Sequence, residues 1–239
     1  MRSYERQLIT AELRQREEEG CDIREISVRI KTALADKASN ADLIALYDEL
    51  MSLPIEASFP YNEPSLLDEI VAQRPKAVHK LACNHSDAVL YDRIYGAWLG
   101  RAAGCALGKP VEGWQKERID NLLTQANALP LDDYLPFEPT LMAGIHKAST
   151  RGQIEFMDRD DDMDYMILAL LALERAGSAF NSRGMANIWL QSMPYGTVYT
   201  AEDAAYRNFV LGILPPDSAI YRNPFREWIG AQILSLIHI

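Results

Sequence analysis

The residues best suited to chemistry form an acidic cluster in the second half of the chain. The segment DRDDDMD, residues 158–164, carries five carboxylates in seven positions and runs directly into a band of apolar residues. Carboxylates this close repel one another, and a partly desolvated site tolerates them when a cation lies between them. Oxygen ligands without a nearby histidine favour Mg²⁺, Ca²⁺ or Mn²⁺ over Zn²⁺. The segment is therefore a candidate site for a hard divalent cation.

Two other interpretations of the acidic cluster compete with a metal site. Asp158, Asp160 and Asp162 alternate as at the start of an EF-hand calcium loop, but Met163 replaces the required glycine and Ala169 the required glutamate. The EF-hand interpretation therefore fails at both positions. Carboxylates also stabilise helix N-termini, although a cap needs only one or two of them. From the spacing alone, a metal site and a solvated acidic cap are both open.

Glycines recur at every fourth position of the segment DRIYGAWLGRAAGCALGKPVEGW, residues 92–114. Gly96, Gly100, Gly104 and Gly108 therefore share one stripe of a predicted helix. Each glycine destabilises a helix interior by about 1 kcal/mol relative to alanine, so close packing of another backbone is expected to offset the loss. The spacing differs from a GxGxxG dinucleotide fingerprint, and Arg101 excludes a membrane-spanning GxxxG dimer.

The elements that must position these residues are predicted to be helices. Over residues 1–52 apolar residues return at helical intervals, with Asp22 and Glu25 as a capping box and Asn40 as a later N-cap. Few stretches show the period of a strand, so the predicted class is all-α. Further expected features are a short helix from Ser65, a loop over 130–139, and helix starts near Ser182, Thr200 and Asn223.

Composition narrows the class of partners. The 239 residues can form one core, or a core with a smaller lobe. A formal charge of −10 disfavours nucleic acid and anionic membrane surfaces. The N-terminus is charged where a signal peptide would be apolar, and the run Tyr165 to Leu173 is too short to span a bilayer, so we expect a cytoplasmic chain. Cys21, Cys83 and Cys105 lack CxxC spacing and are expected to be reduced thiols.

The glycine-rich segment and the acidic segment together resemble the ADP-ribosylglycohydrolase family. GAWLGRAAGCALGKPVEGW followed by RDDDMDYMILALLALE is similar to the family's GxAxGDALGxPxE-type helix and TDDT-type helix start. TAEDAAYRNFVLGILPP and NPFREWIGAQI resemble the continuation in longer bacterial members. The resemblance covers roughly residues 88–233.

This resemblance implies an all-α fold with a binuclear Mg²⁺ centre, where Mn²⁺ is an alternative ion. It implies hydrolysis of the bond from the ribose anomeric carbon to a modified side chain, so the substrate would be an ADP-ribosylated protein or a small ADP-ribosyl or ribosyl compound. Asp160, Asp161 and Asp162 match the threonine and two aspartates of TDDT, which are metal ligands in the family. Glu112 matches the glutamate beside the scissile bond or the flap of the site, and is the catalytic candidate.

The chain departs from the family pattern at three positions and at its end. Cys105 replaces the aspartate of GDALG, and Asp160 and Met163 replace both threonines of TDDT. No segment after Asp164 resembles the GDTDT-type motif that supplies the other metal ligands in the family. The final LSLIHI resembles translated sequencing-adaptor read-through at the end of a metagenomic reading frame. We therefore expect the N-terminal part of a longer enzyme, inactive by itself.

The expected organisation is an N-terminal helical lobe with a proline-marked connection over 1–85, a partial glycohydrolase-like domain over 86–233, and a non-native tail over 234–239. Two further hypotheses stay open: a non-catalytic member that binds ADP-ribose or has a structural role, and a helical scaffold in which the aspartates only cap a helix. The lobe is interpreted first as cover for the core, ahead of self-association or a partner site.

Overall fold

Regular structure in this protein is helical, which confirms the predicted all-α class. The computed structural model describes residues 4–75, 84–142, 146–228 and 230. Within those ranges the β-type pairing is an isolated bridge between Cys21 and Ile55. The α-helices there are α1 (Tyr4–Glu18), α2 (Arg24–Ala35), α3 (Asn40–Met51), α4 (Leu67–Gln73), α5 (Asp87–Gly108), α6 (Lys116–Gln125), α7 (Asp161–Ala176), α8 (Ser182–Ser192) and α9 (Thr200–Val210).

The described residues divide into two compact units. One comprises the described parts of 1–79 and 172–235, and the other those of 80–171, so the division falls inside α7. The predicted domain boundaries stay predictions, and the expected non-native tail, 234–239, lies outside the described residues. No helix in the described ranges has the length and apolar character that crossing a bilayer requires.

The N-terminal helices bury the apolar stripes that the sequence predicted. Their shared core consists of Leu8, Ile9, Ile26, Ile30, Tyr47 and Leu50. All six are nearly inaccessible to water, so hydrophobic burial holds α1, α2 and α3 together.

Both predicted helix caps in this region are wrong in detail. The carboxylate of Asp22 is held by the backbone N–H and guanidinium of Arg24, and Ile23 is the N-cap of α2 without a side-chain hydrogen bond. Ser39, one residue before Asn40, caps α3. Its hydroxyl accepts a hydrogen bond from the Asp42 N–H at 3.2 Å, and the Asp42 carboxylate accepts one from the Ser39 N–H at 3.2 Å.

The second unit has a core built from α6 and the chain that follows it. Leu122, Leu123, Ala128, Leu135 and Met142 are its buried members. Residues 130–139 contain no helix, as predicted. In α5 a methyl group added at any of the four striped glycines would meet, apart from its chain neighbours and the backbone of its own helix, no atom of the described residues within 4 Å. The close packing expected along that stripe is therefore not seen in the described part of the chain.

The helices predicted near Ser182 and Thr200 are confirmed as α8 and α9, but residues 224–227 form turns instead of a helix. The Asn223 side chain bridges several elements at this point. Its amide donates to the carbonyls of Ala201 and Ala219 at 3.2 and 2.9 Å, while its Oδ1 accepts from the Phe225 N–H at 3.2 Å.

Candidate metal and active site

Two polar residues of α5 and the residue that follows the helix face the segment that leads into α7. Arg101, Cys105 and Lys109 follow one another at intervals of four, so they lie on one side of the helix. Arg101 donates to the carbonyl of Asp162 at 2.7 Å, and Lys109 donates to the carbonyl of Arg159 at 2.5 Å. The C-terminal half of α5 thus fixes the backbone that carries the acidic cluster.

The structure brings two of the three predicted metal ligands together with Cys105. The Cys105 sulfur and one carboxylate oxygen each of Asp160 and Asp162 all lie within 4.8 Å of one another. All three residues are half-buried. We call these three residues the Cys–Asp group.

Asp161 and Glu112 lie outside the Cys–Asp group. Asp161 begins α7 and carries a half-buried carboxyl that is hydrogen-bonded to Asp160. Glu112 is exposed at the end of the 3₁₀ turn Lys109–Val111, three residues beyond Lys109. Their proposed roles as metal ligand and catalytic group stay predictions.

Burial and mutual repulsion shift the pKa values of the carboxyl groups in the cluster. Burial, followed by the charge of Asp160, raises the pKa of Asp161 to about 6. The same two causes raise the pKa of Asp162, against the opposing charge of Arg101. Burial by itself would raise the pKa of Asp160. Hydrogen bonds from the Asp162 N–H and the Cys105 thiol, together with the charge of Lys109, outweigh burial and lower this pKa. Asp160 is therefore the carboxylate that the site holds most firmly in its charged form.

Cys105 is a thiol and not a thiolate at neutral pH. Burial, a hydrogen bond to Asp160 and the nearby negative charges raise its pKa to about 12. A thiol in this form is a poor nucleophile, because nucleophilic attack uses the thiolate. Cys105 therefore acts first as a hydrogen-bond donor that orients Asp160.

The cluster is also compensated by the protein's own cations. Lys109 Nζ lies 3.3 Å from an Asp158 oxygen and 3.4 Å from an Asp160 oxygen, with its side chain only 7% exposed. Arg159 forms an ion pair with Asp164 on the first turn of α7. These ion pairs explain how a single turn accommodates so many carboxylates.

Sequence reasoning missed Arg101 and Lys109. The signal was a stripe of polar residues at positions 101, 105 and 109, inside an otherwise small and apolar helix. It lies one residue after the glycine stripe, which drew attention to backbone packing instead. A polar residue repeated at helical spacing in an apolar segment indicates a common partner, here residues 158–162.

A separate groove in the other unit contains none of the predicted site residues. It encloses about 1000 Å³ and is lined by residues of α1, by the turn between α2 and α3, and by Phe225 and Trp228. Arg6, Arg14 and Lys37 supply positive charge at its edges. Size alone does not identify a site, and the acidic chemistry lies elsewhere.

The donor set of the Cys–Asp group fits a hard divalent ion. Two carboxylates that are close together and partly withdrawn from water repel each other, and an ion between them would relieve that repulsion. Mg²⁺ and Mn²⁺ prefer such oxygen ligands, whereas a protonated thiol adds little. Asp160 and Asp162 are thus the residues that would hold the ion.

Comparison with known proteins identifies the family of the chain. The model of the ADP-ribosylglycohydrolase family matches residues 86–227, which include α5, the acidic cluster and α9. Neither a search of curated proteins nor a search of solved structures found a match. Because the family match covers more than half of the chain, the protein belongs to the ADP-ribosylglycohydrolase family.

Proposed function

We propose that this chain carries part of the active site of an Mg²⁺-dependent hydrolase that cleaves a glycosidic bond to ADP-ribose or a related ribosyl group. The observation that carries the proposal is the Cys–Asp group, because its two carboxylates converge within the region that matches the family. The substrate would be an ADP-ribosylated protein or a small ADP-ribosyl compound.

The proposal gives each residue a separate task. Asp160 and Asp162 hold the divalent ion, which when bound supplies Lewis-acid chemistry and orients the sugar hydroxyls and water. Asp161, whose carboxyl is hydrogen-bonded to Asp160, is the third proposed ligand. Glu112 is exposed just after the 3₁₀ turn that follows α5, and its carboxylate accepts or donates a proton near the scissile bond.

Metal-dependent release of ADP-ribose tests this function. The protein, in a form continued to the full length of its gene where the gene extends further, is incubated with ADP-ribosylated arginine and serine peptides, with Mg²⁺, with Mn²⁺ and with a chelator. Asp160→Asn combined with Asp162→Asn is expected to lower release by about 100-fold or more. Asp120→Asn, on exposed α6, is the matched control and should retain activity. Release that survives both the chelator and the double substitution would contradict the proposal.

A non-catalytic ADP-ribose-binding role is the second candidate. Cys105, which stands where the family pattern has a carboxylate, is the observation that favours it. Calorimetric titration with ADP-ribose, with and without Mg²⁺, separates the two candidates. Affinity without turnover of any tested substrate favours the binding role.

A further inference from the structure

Lys109 occupies a position lined by oxygen atoms. Its Nζ lies 3.3 Å from Asp158 Oδ2 and 3.4 Å from Asp160 Oδ2, and it donates to the Arg159 carbonyl at 2.5 Å. Each of its three N–H bonds therefore has an oxygen within reach. Two carboxylates and a carbonyl are also the kind of donor set that a hard divalent cation takes.

The position of Lys109 is fixed by the fold. It ends α5 and begins a 3₁₀ turn whose second residue is the buried Pro110, and its side chain is 7% exposed. Asp160 is half-buried. If the Lys109 side chain moved out of the cluster, the Asp160 carboxylate would lose its neighbouring cation. Such a break is costly, because an unpaired buried charge loses both its partner and its hydration.

Charge counting leaves room for one further divalent ion. Residues 158–164 carry five carboxylates. Among the described residues, three cationic side chains contact this segment: Lys109 at Asp158 and Asp160, Arg159 at Asp164, and Arg101 at the Asp162 carbonyl. With every carboxylate ionised, two negative charges remain, which is the charge that a single Mg²⁺ or Mn²⁺ neutralises.

We propose that the Lys109 ammonium takes the place of one divalent cation, so that the acidic cluster binds a single divalent ion, at Asp160 and Asp162, instead of two. The inference rests on the proposed function, since it requires the cluster to be a metal site. It changes what the site can do: an ammonium has no open coordination position, so only one cation here can engage a substrate hydroxyl directly.

Titration with Mn²⁺ tests the inference without any measurement of turnover. Free Mn²⁺ is followed by electron paramagnetic resonance as it is added to the full chain at constant ionic strength. The unsubstituted chain is expected to bind one equivalent, with the spectrum of an isolated ion. Lys109→Met is expected to bind a second equivalent, or the first at least about tenfold more tightly, because a nearby like charge is removed.

Two control variants separate this effect from a general change in charge. Lys109→Arg keeps the positive charge and should keep one equivalent. Lys116→Met removes a lysine that pairs with Asp120 on the surface of α6, and should leave stoichiometry and affinity unchanged. Circular dichroism of each variant checks that it is folded.

The outcomes distinguish this inference from the proposed function. Two equivalents on the unsubstituted chain, or an exchange-coupled pair spectrum, would overturn the single-ion inference and leave the metal site standing. No Mn²⁺ bound by the unsubstituted chain would overturn both. Unchanged binding in folded Lys109→Met overturns the inference alone. If Lys109→Met does not fold, Lys109→Gln, which removes the charge but keeps a hydrogen-bond donor, is titrated in its place and its stoichiometry decides.

Discussion

The Glu202 carboxylate is enclosed in the first turn of α9, where the residue is only 5% exposed. Thr200 donates to one of its oxygens at 3.4 Å, whereas among the described residues Oε1 has no hydrogen-bond partner. Burial raises the pKa of Glu202 against the weaker effects of its backbone and Thr200 hydrogen bonds. The folded protein therefore binds this proton more tightly than the unfolded chain does.

Glu202→Gln is accordingly expected to stabilise the protein at neutral pH. Since the folded state holds more protons, the free energy of unfolding falls as pH rises from the ordinary glutamate pKa through the raised one. The neutral amide escapes this loss, so we expect a gain of about 1–3 kcal/mol at pH 7.5 that disappears near pH 4. The melting temperatures of Glu202→Gln and of the unsubstituted protein, measured as a function of pH, check this prediction. Glu117→Gln, exposed in the first turn of α6, is the control, and an equal pH dependence in both variants would contradict the assignment.

At the scale of elements, the capping box of α3 gives a second prediction. Ser39→Ala removes the acceptor of the Asp42 N–H and frees the Asp42 carboxylate from the serine hydroxyl, which donates to it at 2.7 Å. We expect the free energy of unfolding to fall by about 1 kcal/mol, measured by urea denaturation. Ser27→Ala, an exposed serine inside α2, is the control and should change stability by much less. Equal losses in the two variants would show that the cap adds nothing.

The caps also show where sequence reasoning reaches its limit. Apolar periodicity predicted the helices through residue 51, because burial of a stripe depends on spacing alone. The caps depend on competition between neighbouring groups. Arg24 binds the carboxylate of Asp22, and the N-cap of α3 is Ser39, one residue before the predicted Asn40. Which residue caps a helix is decided by side-chain contacts over a few ångströms, and the periodicity of apolar residues carries no information about these contacts.

The candidate site was predictable to a similar depth. Asp160 and Asp162 were chosen from charge density and family pattern, and the structure places both in the Cys–Asp group. Lys109 was missed, because its contact with Asp158 spans 49 residues and requires the arrangement of α5 against the segment before α7. A long-range ion pair of this kind has no signature in local spacing. The glycine stripe led to the opposite error. Its spacing predicted close packing against another backbone, and the described residues do not show that packing.

At the scale of the whole molecule, α1 is joined to the turn after Asn223 by a buried ionic network within one compact unit. Arg226 donates to Glu12 at 2.7 Å and to Glu19 at 2.5 Å. Glu12 is fully buried, and Tyr47 donates to its second oxygen at 3.4 Å. Residues more than 200 positions apart thus meet, so the N-terminal helices pack with the later part of the chain. This supports the interpretation of the lobe as cover for the core.

Removal of Arg226 is expected to test that interpretation. Arg226→Met leaves Glu12 and Glu19 without their shared cation, and an uncompensated buried charge costs about 3–5 kcal/mol, measured by urea denaturation. Arg14→Met is the matched control. Arg14 forms an exposed ion pair with Glu18, and its guanidinium lies 5.9 Å from the centre of the Trp228 ring, so its loss leaves no buried carboxylate uncompensated and should cost about 1 kcal/mol or less.

A second substitution identifies the origin of the loss. Burial raises the pKa of Glu12 despite the opposing charge of Arg226, so a neutral side chain at position 12 should tolerate the loss of the arginine better. Glu12→Gln combined with Arg226→Met is therefore expected to be more stable than Arg226→Met alone. If Arg226→Met destabilises no more than Arg14→Met, the network does not hold α1 to the turn, and the lobe would need another role, in self-association or partner binding.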